Sequence, residues 1–184
     1  MPKADGSVVN IGGKRVGVVA FAWFVKTIEP QIIAQLGLSP TGLTIFIPSD
    51  VRLLEQNGTC CYHGFHAAIT QRTPSGLETL TTVFAPDGGV SVGTLSHEIA
   101  EWLNDPFNDN VVPQWVSPAT GKCDSDKLEV ADPLVNHVFR QSGYQLQDIA
   151  FLSWFSRETP SNGIGGQYDL RGILTGPAAD CVRG

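Results

Sequence analysis

The string His97-Glu98-Ile99-Ala100-Glu101 constrains this chain more than any other feature. An imidazole and a carboxylate four residues apart come together only if the backbone between them is α-helical, because side chains at i and i+4 then lie one above the other on one face. The flanking residues predict such a helix over roughly Val90 to Asn104. Val92, Leu95, Ile99, Trp102 and Leu103 recur at threes and fours and form the expected buried stripe. Thr94, His97, Glu98, Glu101 and Asp105 fall on the other face. Asp105-Pro106 ends the helix, since proline disfavours helical geometry in the residue before it.

Two groups one helical turn apart can grip a single ion, with Glu98 beside them to reach a water at that ion. This is the H-E-x-x-H arrangement with its second histidine replaced by glutamate. Zinc accepts a carboxylate oxygen at about 2.0–2.2 Å, close to its distance to an imidazole nitrogen, so the replacement is chemically workable. The added negative charge weakens the ion as a Lewis acid and widens tolerance toward harder ions, Mn2+ or Ca2+, beside Zn2+. One helix supplies only two ligands. The leading third ligand is Glu129, in Leu128-Glu129-Val130-Ala131-Asp132-Pro133, with Asp132 placed to orient His97 by accepting its other ring N–H. These two roles can be exchanged, or both acids can bind. Asp105 lies two turns past His97, about 12 Å along the axis, and suits a bracing role. His63 and His66 flank a strand turn and His137 stands among apolar residues; all three are weaker candidates.

An isolated H-E-x-x-E string on a surface helix is usually a row of solvated side chains. Three features weigh against that here: the apolar reverse face, the Thr-rich strand and Gly turn leading into the helix, and a second acidic pair in an otherwise apolar segment. Carboxylates in such a segment need a cation or hydrogen-bond donors.

The rest of the 184-residue chain reads as one domain of α+β class, a twisted mixed sheet packed on two helices, with a loose lead-in over 1–14 and a loop-rich lobe over 107–184. Strands are expected at Arg15–Phe21, Leu43–Ile47, Thr59–Thr70 (broken at Gly64), Leu77–Ala85 and Tyr168–Leu174. A helix is expected over Trp23–Leu36, kinked or split at Pro30 and stopped at Gly37. Pro86-Asp87-Gly88-Gly89 reads as a turn and Phe107–Asp126 as loop. Ile149–Phe155 reads as a buried helix or strand whose Trp154-Phe155 belongs to the core. Hydrophobic residues at 42% exclude a disordered chain. A net charge of −6 without a Lys/Arg run gives nucleic acid or an anionic membrane no electrostatic purchase. The apolar run Val16–Val25 is too short to span a bilayer and lacks the marks of a signal peptide. None of the four cysteines forms a C-x-x-C pair. The even count allows two disulfides, such as one from the Cys60/Cys61 pair to Cys123 and one to Cys181, since neighbours in an extended strand face opposite sides and bond each other only with strain; buried free thiols are the alternative.

Ser96-His97-Glu98-Ile99-Ala100-Glu101-Trp102 through Asp105-Pro106-Phe107, followed by Leu128-Glu129-Val130-Ala131-Asp132-Pro133, resembles a group of bacterial zincin-like proteins. The likeness extends to Cys60-Cys61-Tyr62-His63-Gly64-Phe65-His66 and to Phe151-Leu152-Ser153-Trp154-Phe155-Ser156-Arg157, and so covers most of the chain from Trp23 onward. S-H-E-x-A-E with D-P soon after is also similar, more weakly, to the plant EXORDIUM (phosphate-induced) proteins. The zincin resemblance implies a five-stranded twisted sheet over an active-site helix and an edge strand, Leu77–Ala85, that binds peptides by strand addition. It also implies His97 as metal ligand, Glu98 as general base and a secreted protein. The chain departs from zincin peptidases at Glu101, where they carry histidine. No third histidine follows at the metzincin spacing, and Glu129/Asp132 only approximates the gluzincin E-x-x-x-D pair.

These readings lead to a zinc-dependent hydrolase acting on a peptide or protein substrate, with His97, Glu101 and Glu129 as ligands. The alternatives are a zincin-shaped binding protein whose ion is structural, and an interaction domain without metal.

Overall fold

The β-branched run expected as a strand over Arg15–Phe21 forms one that ends at Ala20, where Phe21 opens a helix, and that strand organises the first of three sheets among the described residues. The computed structural model describes residues 6–55, 58, 60–73, 76–87 and 92–181. Strand β1 (Gly6–Ile11) turns through Gly12-Gly13 into β2 (Lys14–Ala20). Both glycines have positive φ, 57° and 81°, as a two-residue hairpin turn requires. The expected lead-in is therefore a strand from Gly6 onward. Its side chains from Ser7 to Ile11 are exposed, so backbone pairing holds it and no burial pattern announces it. Residues 1–5 of that lead-in lie outside the described residues.

A helical stretch follows in three pieces: α1 (Phe21–Trp23), a π-helical turn (Phe24–Ile28) and α2 (Glu29–Leu36). Pro30 falls in the first turn of α2, where a missing N–H costs little, and the turn before it widens to the π form. Gly37, at φ 59°, caps α2, with the Leu38 N–H bonded to the Ile33 carbonyl at 3.1 Å.

Strand β3 (Leu43–Phe46) precedes β4 (Val51–Leu54), which pairs parallel to β2. Strand β4 escapes a sequence reading because four residues between turn formers show no usable periodicity. Strand β5 (Cys60–Tyr62) completes the sheet order β1-β2-β4-β5. Strands β6 (Phe65–Thr73) and β7 (Gly76–Phe84) form a second sheet with β3, in the order β3-β7-β6. The described strands thus divide into separate sheets where the resemblance implies one of five strands. Strand β7, expected at an edge, is central: β6 pairs along its length, and β3 pairs with Thr81–Phe84. Its last five residues are all buried, as befits a strand covered on both faces.

The chain divides into two compact units, Met1–Gly89 and Val90–Gly184. The core of the first gathers Val19, Phe24, Leu53 and Phe84, with Phe24 edge-on to Phe84 at 5.1 Å and Phe65 stacked on Phe84 at 5.5 Å. The core of the second joins Trp115, Val130, Leu134, Trp154 and Phe155, with Trp115 edge-on to Trp154 at 5.4 Å.

The second unit begins its regular structure with α3 (Gly93–Asn104). Gly88 and Gly89 of the expected turn, and Val90 and Ser91 of the expected helix, lie outside the described residues. An irregular stretch leads to a 3-10 turn at Asp132–Leu134, the hairpin β8 (Val138–Gln141) with β9 (Tyr144–Gln147), and α4 (Leu152–Phe155). Tyr168–Leu174 is not a strand. Asp169 makes one bridge to Ala150, and its carboxylate then takes the N–H groups of Arg171, Ile173 and Leu174 that a sheet partner would need. The described residues are α+β, with two longer helices of eight and twelve residues beside three sheets. No helix among the described residues is long and apolar enough to cross a membrane.

The disulfides join Cys60 to Cys61 and Cys123 to Cys181, which corrects the cross-pairing of the sequence reading. Bridges Trp115–Asp180 and Val116–Cys123 bring Cys123 to Cys181, leaving Cys60 and Cys61 to each other. Closing a separation of 58 residues is worth roughly 4 kcal/mol on chain-entropy grounds.

Glu29 on α2 is fully buried, and neither carboxyl oxygen has a hydrogen-bond partner of ordinary geometry. Burial pushes its pKa from 4.5 up to about 7, against a partial pull downward from the Thr82 hydroxyl. Between these values the unfolded chain has released the proton and the folded chain keeps it, so stability falls as pH rises through the window. Glu29→Gln is expected to remove that slope and to gain up to about 3 kcal/mol over wild type at pH 8. Urea unfolding at pH 5 and pH 8 measures both.

Candidate metal centre

Helix α3 buries its acidic face. Gly93, Glu98, Glu101 and Asp105 are buried, Leu95, Ile99 and Trp102 only half-buried, and Leu103 is 68% exposed. The expected stripe is thus only partly covered and loses Leu103 to solvent, while the carboxylates of the other face are the more deeply buried. Burying ionisable groups is costly unless they are paired.

For Glu101, His97 supplies that pairing. Its Nε2 lies 3.2 Å from Glu101 Oε1, one turn along the helix, and 3.3 Å from Asp132 Oδ1. One donor atom from each of the three residues lies within 4.8 Å of the others. Asp132 opens the 3-10 turn, and buried residues on both sides of it hold that turn in place: Val130, Ala131, Pro133 and Leu134. Glu101 Oε1 also accepts the Ala131 N–H at 3.3 Å, which ties the helix to the residue before Asp132.

The loop acid brought to His97 is therefore Asp132. Glu129 is half-buried between Leu128 and Val130, both sunk in the core, and is not part of this group among the described residues. Asp105 is buried and takes the N–H groups of Asp109 and Asn110, bracing the chain as it leaves the helix. His63 is exposed after β5, His66 is buried on β6 and His137 is exposed before β8. Gln147, which no motif marks, and Ser96, the first residue of the S-H-E-x-A-E string, belong to the surroundings of the site: the Gln147 N–H bonds Ser96 Oγ at 2.9 Å, and the Gln147 side-chain amide reaches the turn carrying Asp132.

The field at His97 favours positive charge. Burial disfavours the imidazolium, but hydrogen bonds to Asp132 and Glu101 and the charges of Glu101 and Glu98 outweigh it, and the pKa is pushed up from 6.5 to about 11. The spacing also suits an ion. Ligand distances of about 2.0–2.2 Å around a tetrahedral zinc imply ligand-to-ligand edges of about 3.4 Å. The two edges from His97 Nε2, 3.2 and 3.3 Å, come within about 0.2 Å of that. One imidazole and two carboxylates make a workable donor set for zinc or manganese, whereas calcium sites are built from oxygen alone.

Compared with known protein families, curated proteins and solved structures, the chain matches none of them.

Without metal, His97 is expected to stay protonated well above neutrality. Its raised folded pKa contributes stability that is fully present below about 6.5 and is lost as pH rises through about 11. Removing the second carboxylate with Asp132→Asn brings the His97 titration down toward its ordinary value, as read by NMR of the imidazole protons in chelator-treated protein.

Proposed function

We propose that this chain is a zincin-like, zinc-dependent hydrolase acting on peptides or proteins, with His97, Glu101 and Asp132 holding the ion and Glu98 as general base. The observation that carries the reading is the approach of two carboxylate oxygens to one imidazole nitrogen, at 3.2 and 3.3 Å, with one ligand atom of each of the three residues within 4.8 Å of the others. The two disulfides accord with an oxidising, extracytoplasmic setting and hence with secretion.

A zinc ion held by His97, Glu101 and Asp132 would supply Lewis acidity toward a carbonyl oxygen and a bound water. The chain's own groups do the rest. Glu98 is buried and its charge acts on His97; in this reading its carboxylate would take the proton of the attacking water and return it to the leaving amine. Glu101, steadied by the Ala131 N–H, keeps its oxygen toward His97. Two carboxylates make the ion less acidic than in a histidine-rich site, so turnover is expected to rise toward mildly alkaline pH.

The Glu101–Ala131 bond also favours a second reading, in which the ion is a staple that fastens the Asp132 turn to α3 without turnover. Titration with zinc and assay against a peptide library separate the two. Glu98→Gln is expected to keep zinc affinity within a few-fold and to lose about 100-fold or more in kcat. Asp132→Asn loses zinc affinity, whereas Glu129→Gln does not. Full activity in Glu98→Gln overturns the mechanism. A wild-type protein that hydrolyses nothing, yet melts much lower after chelation, establishes the staple instead.

A further inference from the structure

We infer that Gln147, at the end of β9, is the residue that positions Asp132 for the metal centre. This rests on the reading of His97, Glu101 and Asp132 as ligands. Gln147 is 9% exposed and spends its amide groups on the two elements that carry those ligands. Its backbone N–H bonds Ser96 Oγ at 2.9 Å, and that hydroxyl in turn donates to the Gly93 carbonyl at 2.8 Å inside α3, next to His97. Its Nε2 donates to the carbonyls of Ala131, at 3.5 Å, and Leu134. These carbonyls flank the turn that presents Asp132. One residue therefore fixes both the helix and the turn.

The chemistry of the side chain explains the choice. Nε2 carries two donors on one planar group, which matches two carbonyl acceptors on either side of a single turn. Asparagine is one methylene shorter and cannot span the same gap from the same backbone position. Glutamate would face two carbonyl oxygens with acceptors only, and leucine fills the space with no donor. Asp132 needs the support, because its side chain is 41% exposed while that of Glu101 is 4% exposed. Outer partners that orient a ligand typically change metal affinity by 10- to 100-fold.

The test is zinc affinity, measured by competition with a chromogenic chelator, for wild type, Gln147→Leu, Gln147→Asn, Asp132→Asn and the Gln147→Leu/Asp132→Asn double variant. Gln147→Leu is expected to lose about 10- to 100-fold in affinity, with the metal-free melting temperature changing by only a few degrees. Gln147→Asn, which keeps a buried amide, tests the point if the leucine variant does not fold, and is expected to lose affinity as well. If Gln147 acts through Asp132, the double variant is no weaker than Asp132→Asn alone. Losses that simply add, or a Gln147→Leu and Gln147→Asn pair that bind zinc as wild type does, overturn the role of Gln147 and leave the metal centre standing. A wild-type protein that binds no zinc overturns the metal centre itself.

Discussion

One imidazole held between two carboxylates is the constraint to which the second unit is built. His97 and Glu101 meet because α3 places them one turn apart, and Asp132 joins them because the chain before and after it is anchored in the core. Leu134 and Val130 pack in the cluster centred on Trp115, Trp154 and Phe155, and the Ala150 N–H bonds the Val130 carbonyl at 2.8 Å. The aromatic core thus sets where an exposed-looking aspartate ends up. A shift of one residue in this segment would present Ala131 or Pro133 to His97 and leave the two helix residues without a third partner.

Other acids in the same unit show how buried carboxylates are settled without a cation. Asp169 is fully buried and accepts three backbone N–H groups from its own loop at 2.7–3.0 Å. Asp105 is almost as deeply buried and accepts two from the chain that follows α3. Both are satisfied as anchors of local turns. Glu101 and Asp132 instead direct an oxygen each at the same nitrogen, where negative charge accumulates around one point. Such a convergence is unfavourable unless a positive charge stands there, whether a proton on the imidazole or a metal ion.

The i, i+4 spacing made the helix and the His97–Glu101 pair legible in the sequence, since only an α-helix satisfies it. Strands rich in β-branched residues, such as Lys14–Ala20 and Gly76–Phe84, were legible for the same kind of reason. What the sequence did not reveal depended on tertiary partners. The sequence favoured Glu129 over Asp132 as third ligand, and only the folded chain brings the Asp132 oxygen to 3.3 Å from His97 Nε2. The apolar stripe on α3 suggested Leu103 as a core residue, yet it lies 68% exposed, because the buried face carries acids whose partners arrive from distant segments. Tyr168–Leu174 has strand-like composition, but the Asp169 carboxylate captures its backbone donors. Gln147 carries no signal at all: a glutamine at the end of a short strand means nothing until the turn beneath it is known.

The most direct test of the account is anomalous diffraction at the zinc edge from crystals of zinc-loaded protein. The account predicts one strong peak, about 2.0–2.2 Å from His97 Nε2 and from one carboxylate oxygen each of Glu101 and Asp132. Zinc-loaded crystals with no peak at that point, and the His97 imidazole still hydrogen-bonded to both acids, would contradict it.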